Sequence, residues 1–193
     1  SASGTRSIER TSNLRMVIPA GIRELIPEDR IRARVIELAQ QIDRDYADAG
    51  EILILGVLRG SYIFVADLSR ALSIDRRVDF IALSSYERDA RQAGVRLIMD
   101  ARVPIEGRHI LLVEDILDTG RTLAYLLEVL AARKPASIRS CVLVRKPIQQ
   151  TQVRADYLGF DIPDDWVVGY GLDFDDRFRA LPFIGTLDPD ALD

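Results

Sequence analysis

Four nearly unbroken apolar runs constrain the fold of this chain more than any other feature: Glu51 to Leu58, Val78 to Leu83, His109 to Val113 and Ser137 to Val144. A strand with one wet face alternates apolar and polar residues, so runs without that alternation predict strands covered on both faces, as in a parallel sheet. Helical spacing appears between them. After Pro27, Glu28 and Asp29, the residues Ile31, Val35, Leu38, Ile42 and Tyr46 predict one amphipathic helix that ends at Gly50. Ser61 is placed to cap a second helix carried by Ile63, Phe64, Leu68 and Leu72, and a third spans about Thr122 to Ala132. Strand and helix alternate, so the expected fold is α/β, a mostly parallel, doubly wound sheet flanked by helices.

Two segments break the alternation. Ser84 to Gly94 is polar and charged and reads as a mobile loop. The part from about Pro147 to the end contains Asp156 to Phe160 and Trp166 to Tyr170 as short strands and reads as a small hood. With 193 residues and 48% hydrophobic content, one domain over 14–193 is expected, preceded by a polar, frayed segment over 1–13. A net charge of -4 excludes the uniform basic field that nucleic acid or an anionic membrane would require. No stretch approaches the roughly 18 apolar residues of a membrane span. The single Cys141 lies in an apolar run and reads as a buried thiol, which fits a reducing, cytoplasmic setting.

Chemistry concentrates after the third run. His109 to Val113 delivers Glu114 and Asp115 to a strand end, where α/β sheets place ligands, and two adjacent carboxylates need a compensating cation or hydroxyl donors. Past Ile116 and Leu117, the loop Asp118-Thr119-Gly120-Arg121-Thr122 opens a helix, so backbone N–H groups, two hydroxyls and a positive helix end converge. An ordinary strand–turn–helix explains each piece alone, with Glu114 solvated and Asp118 capping the helix. The ten-residue combination instead describes a sugar-phosphate site, its acids serving ribose hydroxyls and a divalent cation.

Val113 to Thr122 closely resembles the 5-phosphoribosyl-1-diphosphate signature of type I phosphoribosyltransferases, and its Glu-Asp-x-x-Asp-Thr-Gly form is similar to the hypoxanthine and guanine branch. The resemblance extends from about Leu14 to Ile184. It implies that residues Glu114 to Thr122 bind the phosphoribosyl group. Leu58-Arg59-Gly60-Ser61 resembles the loop that binds pyrophosphate and often holds a non-proline cis peptide. Ser85-Tyr86 is similar to the start of a lid that excludes water from the reaction centre and meets pyrophosphate. Lys146 matches a lysine that donates to the 6-oxo group of a purine, and Trp166-Val167 matches the pair that stacks on the base and reads its edge. Gly169 to Phe174 with Arg179 matches the last signature, in which Asp173 lies by the purine and holds magnesium while Arg179 meets pyrophosphate. Glu114 and Asp115 are the other candidate metal ligands.

What the resemblance implies is purine salvage: transfer of phosphoribosyl to N9 of hypoxanthine, and of guanine, giving IMP or GMP and pyrophosphate, with Mg2+ as cofactor. Asp118 is the expected general base. A homodimer or homotetramer is expected by the same analogy. The chain departs from the pattern at Glu87, where glycine is common, at Arg145, and at Trp166, where phenylalanine is common. Two rivals are weaker. A non-catalytic nucleotide-binding regulator on the same fold usually adds a broad basic face, and a phospho-acceptor receiver domain separates its acids and lysine by more of the chain.

Overall fold

The structure is a computed structural model, described over residues 18–19, 21–87, 93–147 and 153–188. Nine strands and three helices are formed by these residues. The main sheet contains β2 (Glu51–Leu58), β3 (Asp75–Glu87), β4 (Ala93–Met99), β5 (His109–Leu117), β6 (Ser137–Arg145) and β7 (Tyr157–Asp161). Its order is β4-β3-β2-β5-β6-β7, parallel throughout except for the antiparallel edge pair β3–β4. The helices are α1 (Glu28–Asp45), α2 (Tyr62–Ala71) and α3 (Arg121–Ala131). A separate three-stranded sheet joins β1 (Ile22–Ile26), β9 (Ile184–Leu187) and β8 (Val167–Val168), so both chain ends contribute to the hood.

The unbroken apolar runs supply both sheet faces because successive side chains point to opposite sides. Ile52, Ile54, Leu111, Val113, Cys141 and Leu143 pack with Ile31, Val35, Leu38, Ile42 and Phe64 of α1 and α2. Leu53, Leu55, Ile110, Leu112 and Val142 pack with Leu123, Leu126 and Leu130 of α3. Burial of each such side chain contributes about 1.5–3 kcal/mol, so neither layer is dispensable. Cys141 is fully buried and its thiol is pushed up by desolvation, consistent with a packing role.

Several sequence expectations are corrected. Helix α1 stops at Asp45, and Gly50, at φ 74, serves the turn into β2 instead of ending the helix. Ser61 stands at the start of α2 in a helical conformation and makes no cap; its hydroxyl donates to the Val57 carbonyl at 2.7 Å. The segment expected to be a loop from Ser84 is strand through Glu87 and strand again from Ala93, with Ser85 opposite Val95 and Tyr86 opposite Gly94. Its apex, 88–92, lies outside the described residues, as do 1–17. Tyr157–Asp161, expected in the hood, is the parallel edge of the main sheet. Arg34 of α1 secures that edge by donating to the carbonyls of Gly159 at 3.0 Å and Leu158 at 2.7 Å.

Candidate active site

The sheet order reverses between β2 and β5: from β2 the chain winds outward to β3, and from β5 it winds the other way to β6. Ligands of open α/β sheets bind in the crevice at such a reversal. Here the crevice opens because pairing stops. The strands β2 and β5 run together only to Gly56 opposite Val113, whereas β5 continues beside β6 as far as Leu117 opposite Arg145. Beyond Gly56, β2 stays paired with β3 alone, as far as Leu58 opposite Ala82, and the chain then turns out of the sheet at the cis Leu58–Arg59 peptide. Glu114 and Asp115 therefore lie within β5, not past its end, in the part that has lost one neighbour.

A cavity of about 520 Å³ fills the gap. Arg59, Gly60, Glu114 to Gly120, Thr122, Asp173 and Arg179 line it, and Leu83 and Val95 add an apolar wall from β3 and β4. Glycines set its floor. A Cβ on Gly60 would sit 1.6 Å from Asp115 Oδ2, and one on Gly171 would sit 1.9 Å from the Gly60 carbonyl oxygen. The hood loop, the loop after β2 and the acids of β5 are thus stacked in direct contact.

The two acids are short of partners. Glu114 is 5% exposed, its Oε2 has no hydrogen-bond partner, and desolvation together with the neighbouring Asp115 pushes its carboxyl up to about 8. Desolvation pushes Asp115 up to about 6, opposed by backbone N–H groups and by Arg179. Asp118 and Thr119 are exposed. Asp118 caps no helix; Gly120 at φ 75 occupies the N-cap of α3 with no cap of its own, and Thr119 Oγ1 accepts from the Arg121 N–H at 3.4 Å. The N–H groups of Thr122 and Leu123, which no side chain caps among the described residues, belong to a helix start that lines the cavity, an arrangement suited to an anion. Arg121 is exposed and does not line the cavity.

Lys146, Trp166 and Val167 do not line that cavity. Lys146 Nζ lies 3.3 Å from Asp164 and 5.9 Å above the Trp166 ring. Trp166 is 60% exposed and meets Phe174 edge-on at 5.8 Å, leaving ring surface free for a planar ligand. Val167 is buried in β8. Asp173 and Arg179 pair at 2.8 Å. The backbone of Ser85 and Tyr86 lies in β3, but their side chains fall outside what is described. A larger cavity of about 580 Å³ between α1, α2 and residues 180–182 holds none of the predicted residues, and its Asp67 is engaged by Tyr170 and Arg70. Asp164 and Asp176 lie outside the residues that the sequence assigns to the site. Nothing in local spacing joins Asp164 to Lys146, because the intervening β7 brings them together.

No group of three or more His, Cys, Asp or Glu among the described residues forms a metal cage. The donor set nonetheless fits magnesium, which takes one or two carboxylates and completes its shell with water and substrate phosphates. The unpartnered Glu114 Oε2 and the adjacent Asp115 are suitable hard oxygen donors.

The phosphoribosyl transferase domain family matches residues 24–175. The chain is 45% identical over 172 residues to a hypoxanthine-guanine phosphoribosyltransferase of Mycobacterium avium, covering 86% of this chain and 85% of that one. It is 42% identical over 166 residues to a hypoxanthine phosphoribosyltransferase of Escherichia coli, covering 84% and 93%. Among solved structures, a hypoxanthine-guanine phosphoribosyltransferase of Bacillus anthracis with HEPES in its active site superimposes with a TM-score of 0.81 at 40% identity, covering 86% of this chain and 98% of that one. A hypoxanthine phosphoribosyltransferase variant of Trypanosoma cruzi in a ternary substrates complex gives 0.83 at 42%, covering 89% and 97%. This chain belongs to the phosphoribosyl transferase domain family, and its mostly parallel sheet flanked by helices is the type I fold of that family.

The acids make stability depend on pH. Folding raises the Glu114 carboxyl from its ordinary 4.5 to about 8, so across that window the folded chain holds a proton that the unfolded chain has released. Stability of the ligand-free protein accordingly falls as pH rises through the window. Glu114→Gln is expected to flatten this fall, measured as the difference in Tm between variant and wild type at pH 5 and pH 8. A pH-independent difference would refute the assignment.

Proposed function

We propose that this enzyme catalyses attack by N9 of a 6-oxopurine on carbon 1 of 5-phosphoribosyl-1-diphosphate. The C1–N9 bond forms as the bond from C1 to the diphosphate oxygen breaks, giving a nucleoside 5′-monophosphate and pyrophosphate. The observation that carries this reading is the buried, unpartnered Glu114 Oε2 beside Asp115 at the sheet reversal, next to the uncapped α3 terminus. Acids in such a place favour ribose hydroxyls and a cation, and the helix terminus favours a terminal phosphate. Both groups belong to one substrate. The names of the relatives, hypoxanthine-guanine and hypoxanthine phosphoribosyltransferases, support hypoxanthine, with guanine, as the base, and purine salvage as the setting. They do not favour a non-catalytic regulator.

Residues Glu114 to Thr122 bind the phosphoribosyl moiety in this reading. Arg59, Gly60 and Arg179, with Ser85 and Tyr86 of the β3–β4 arm, serve the pyrophosphate. Glu114, Asp115 and Asp173 are the proposed metal ligands; magnesium there supplies neutralising charge for the leaving diphosphate. A carboxylate close to the ribose also suits the positive charge that develops on the sugar as the leaving group departs. Asp118, which has no hydrogen bond or ion pair among the described residues, takes the proton from purine N7. Trp166 stacks on the base, Val167 and Asp173 flank it, and Lys146 donates to its 6-oxo oxygen. A donor at that position suits an acceptor oxygen and opposes the amino group of adenine.

No helix of the described residues is long and apolar enough to cross a membrane. A cytoplasmic setting fits the lone buried Cys141. One catalytic domain over 14–193 and a homodimer or homotetramer complete the reading. A solved Trypanosoma cruzi relative was studied for the role of its C-terminal region in oligomeric state and enzymatic activity.

Pyrophosphate release from 5-phosphoribosyl-1-diphosphate with magnesium, measured across hypoxanthine, guanine, xanthine, adenine and uracil, is expected for the first two and absent for adenine and uracil; use of adenine would overturn the assigned Lys146 contact. Asp118→Asn is expected to lower kcat by about 10²-fold or more at saturating substrate, the usual scale for a lost general base; wild-type turnover excludes Asp118 from that role. Lys146→Ala is expected to raise KM for the base by about tenfold or more while leaving KM for the sugar diphosphate alone, the scale of a charged hydrogen bond. An unchanged KM for the base removes the contact.

A further inference from the structure

Two loops that meet only in the folded chain hold one carboxylate between two guanidinium groups. Arg59 follows β2, whereas Asp176 and Arg179 lie beyond Leu172 in the segment leading to the hood. Asp176 Oδ1 is 2.8 Å from Arg59 Nη2 and 2.9 Å from Arg179 Nη2, and Arg59 Nη2 also donates to Asp176 Oδ2 at 3.1 Å. Both arginines line the 520 Å³ cavity.

We infer that Asp176 is an internal competitor for the diphosphate: in the free enzyme its carboxylate bridges Arg59 and Arg179, where a diphosphate oxygen bridges them in the substrate complex. The inference rests on the proposed role of these arginines in binding pyrophosphate and adds a residue that regulates their availability.

The anchoring of the three side chains distinguishes a competitor from a scaffold. Arg179 is 18% exposed and is held independently of Asp176 by Asp173 at 2.8 Å and by the Gly171 carbonyl at 2.8 Å. It stays in place when Asp176 lets go. Arg59 is 69% exposed and has no other ion pair or side-chain hydrogen bond among the described residues, so it is free to follow a ligand. Asp176 is 57% exposed and offers a single charge, and such ion pairs are weak in water. A diphosphate carries more charge and more acceptor oxygens, so it displaces the carboxylate. The same exchange runs backwards on release, when Asp176 re-engages both arginines as pyrophosphate leaves. The carboxylate thus limits how tightly this site retains a diphosphate.

Asp176→Asn tests the idea with little disturbance, because Asp176 sits at φ 58 and asparagine tolerates that left-handed conformation. Calorimetric titration with inorganic pyrophosphate and magnesium is expected to show binding tightened about three- to tenfold in the variant, the scale of removing a weak ion-pair competitor. The gain is expected to shrink at high salt. Asp176→Glu, which keeps the charge, is expected to bind pyrophosphate like wild type, and KM for the purine is expected to stay unchanged in both variants. If wild type binds pyrophosphate and Asp176→Asn binds it equally or more weakly, the competitor role is overturned while the site assignment stands. If wild type itself does not bind pyrophosphate, both are overturned.

Discussion

Glu114 and Asp115 are adjacent acids in a strand interior, and the arrangement around them follows from the cost of keeping them there. Removing a carboxylate from water is expensive unless it is paired or protonated, and two in contact oppose each other as well. The fold leaves Glu114 Oε2 without a partner and lifts both groups toward neutrality. A sheet that continued pairing β2 with β5 would enclose these acids. The crevice exists because β2 turns away after Leu58; Gly60 lets the loop backbone close on Asp115, and Gly171 lets the hood segment close on the Gly60 carbonyl. Backbone occupies the space that side chains would need, so a ligand bringing a cation or hydroxyl donors finds acids already in position.

Positive charge is arranged in the complementary way. Arg179 serves Asp173 and Asp176 together, Asp176 serves Arg59, and the α3 terminus adds the partial charge of its open N–H groups. Two arginines and a helix terminus thus share one cavity with the acids Glu114, Asp115, Asp118 and Asp173. Of these pairs, Arg59–Asp176 is exposed and therefore weak, whereas Arg179 and Asp173 are mostly covered.

Much of the fold was legible because its core strands are buried on both faces. Glu51 to Leu58, His109 to Val113 and Ser137 to Val144 all lie in parallel strands, and the α1 positions Ile31, Val35, Leu38 and Ile42 are all in the core. The failures share a cause: pairing with a partner distant in sequence overrode local polarity. Ser84 to Glu87 read as loop because Ser, Tyr and Glu are polar, yet β4 pairs with them across the sheet edge. Tyr157 to Asp161 read as hood because it follows the last long apolar run, and its place in the main sheet depends on β6 and on the Arg34 clamp. Ser61 has the residue type of an N-cap, but its hydroxyl finds the Val57 carbonyl first. In the site, the contiguous run Glu114 to Thr122 was readable as a unit. Asp164 and Asp176 were not, since each acquires meaning only from an arginine or lysine on another element.

The predicted site residues come from different parts of the fold. The acids, the α3 terminus and the arginine pair surround one cavity, and all but Asp173 and Arg179 come from β2, β5 and the turns after them. Lys146 comes from the end of β6 and Trp166 from the approach to β8, with Phe174 as the only aromatic contact of that ring among the described residues. Trp166 leads into the hood sheet β1–β9–β8, which shares no strand with the main sheet. The segment from Gly169 to Arg179 joins the two, because it carries both Phe174 against Trp166 and the ion pairs of Arg179 with Asp173 and Asp176. Asp173, which lines the cavity and pairs with Arg179, directly precedes Phe174, whose ring meets Trp166.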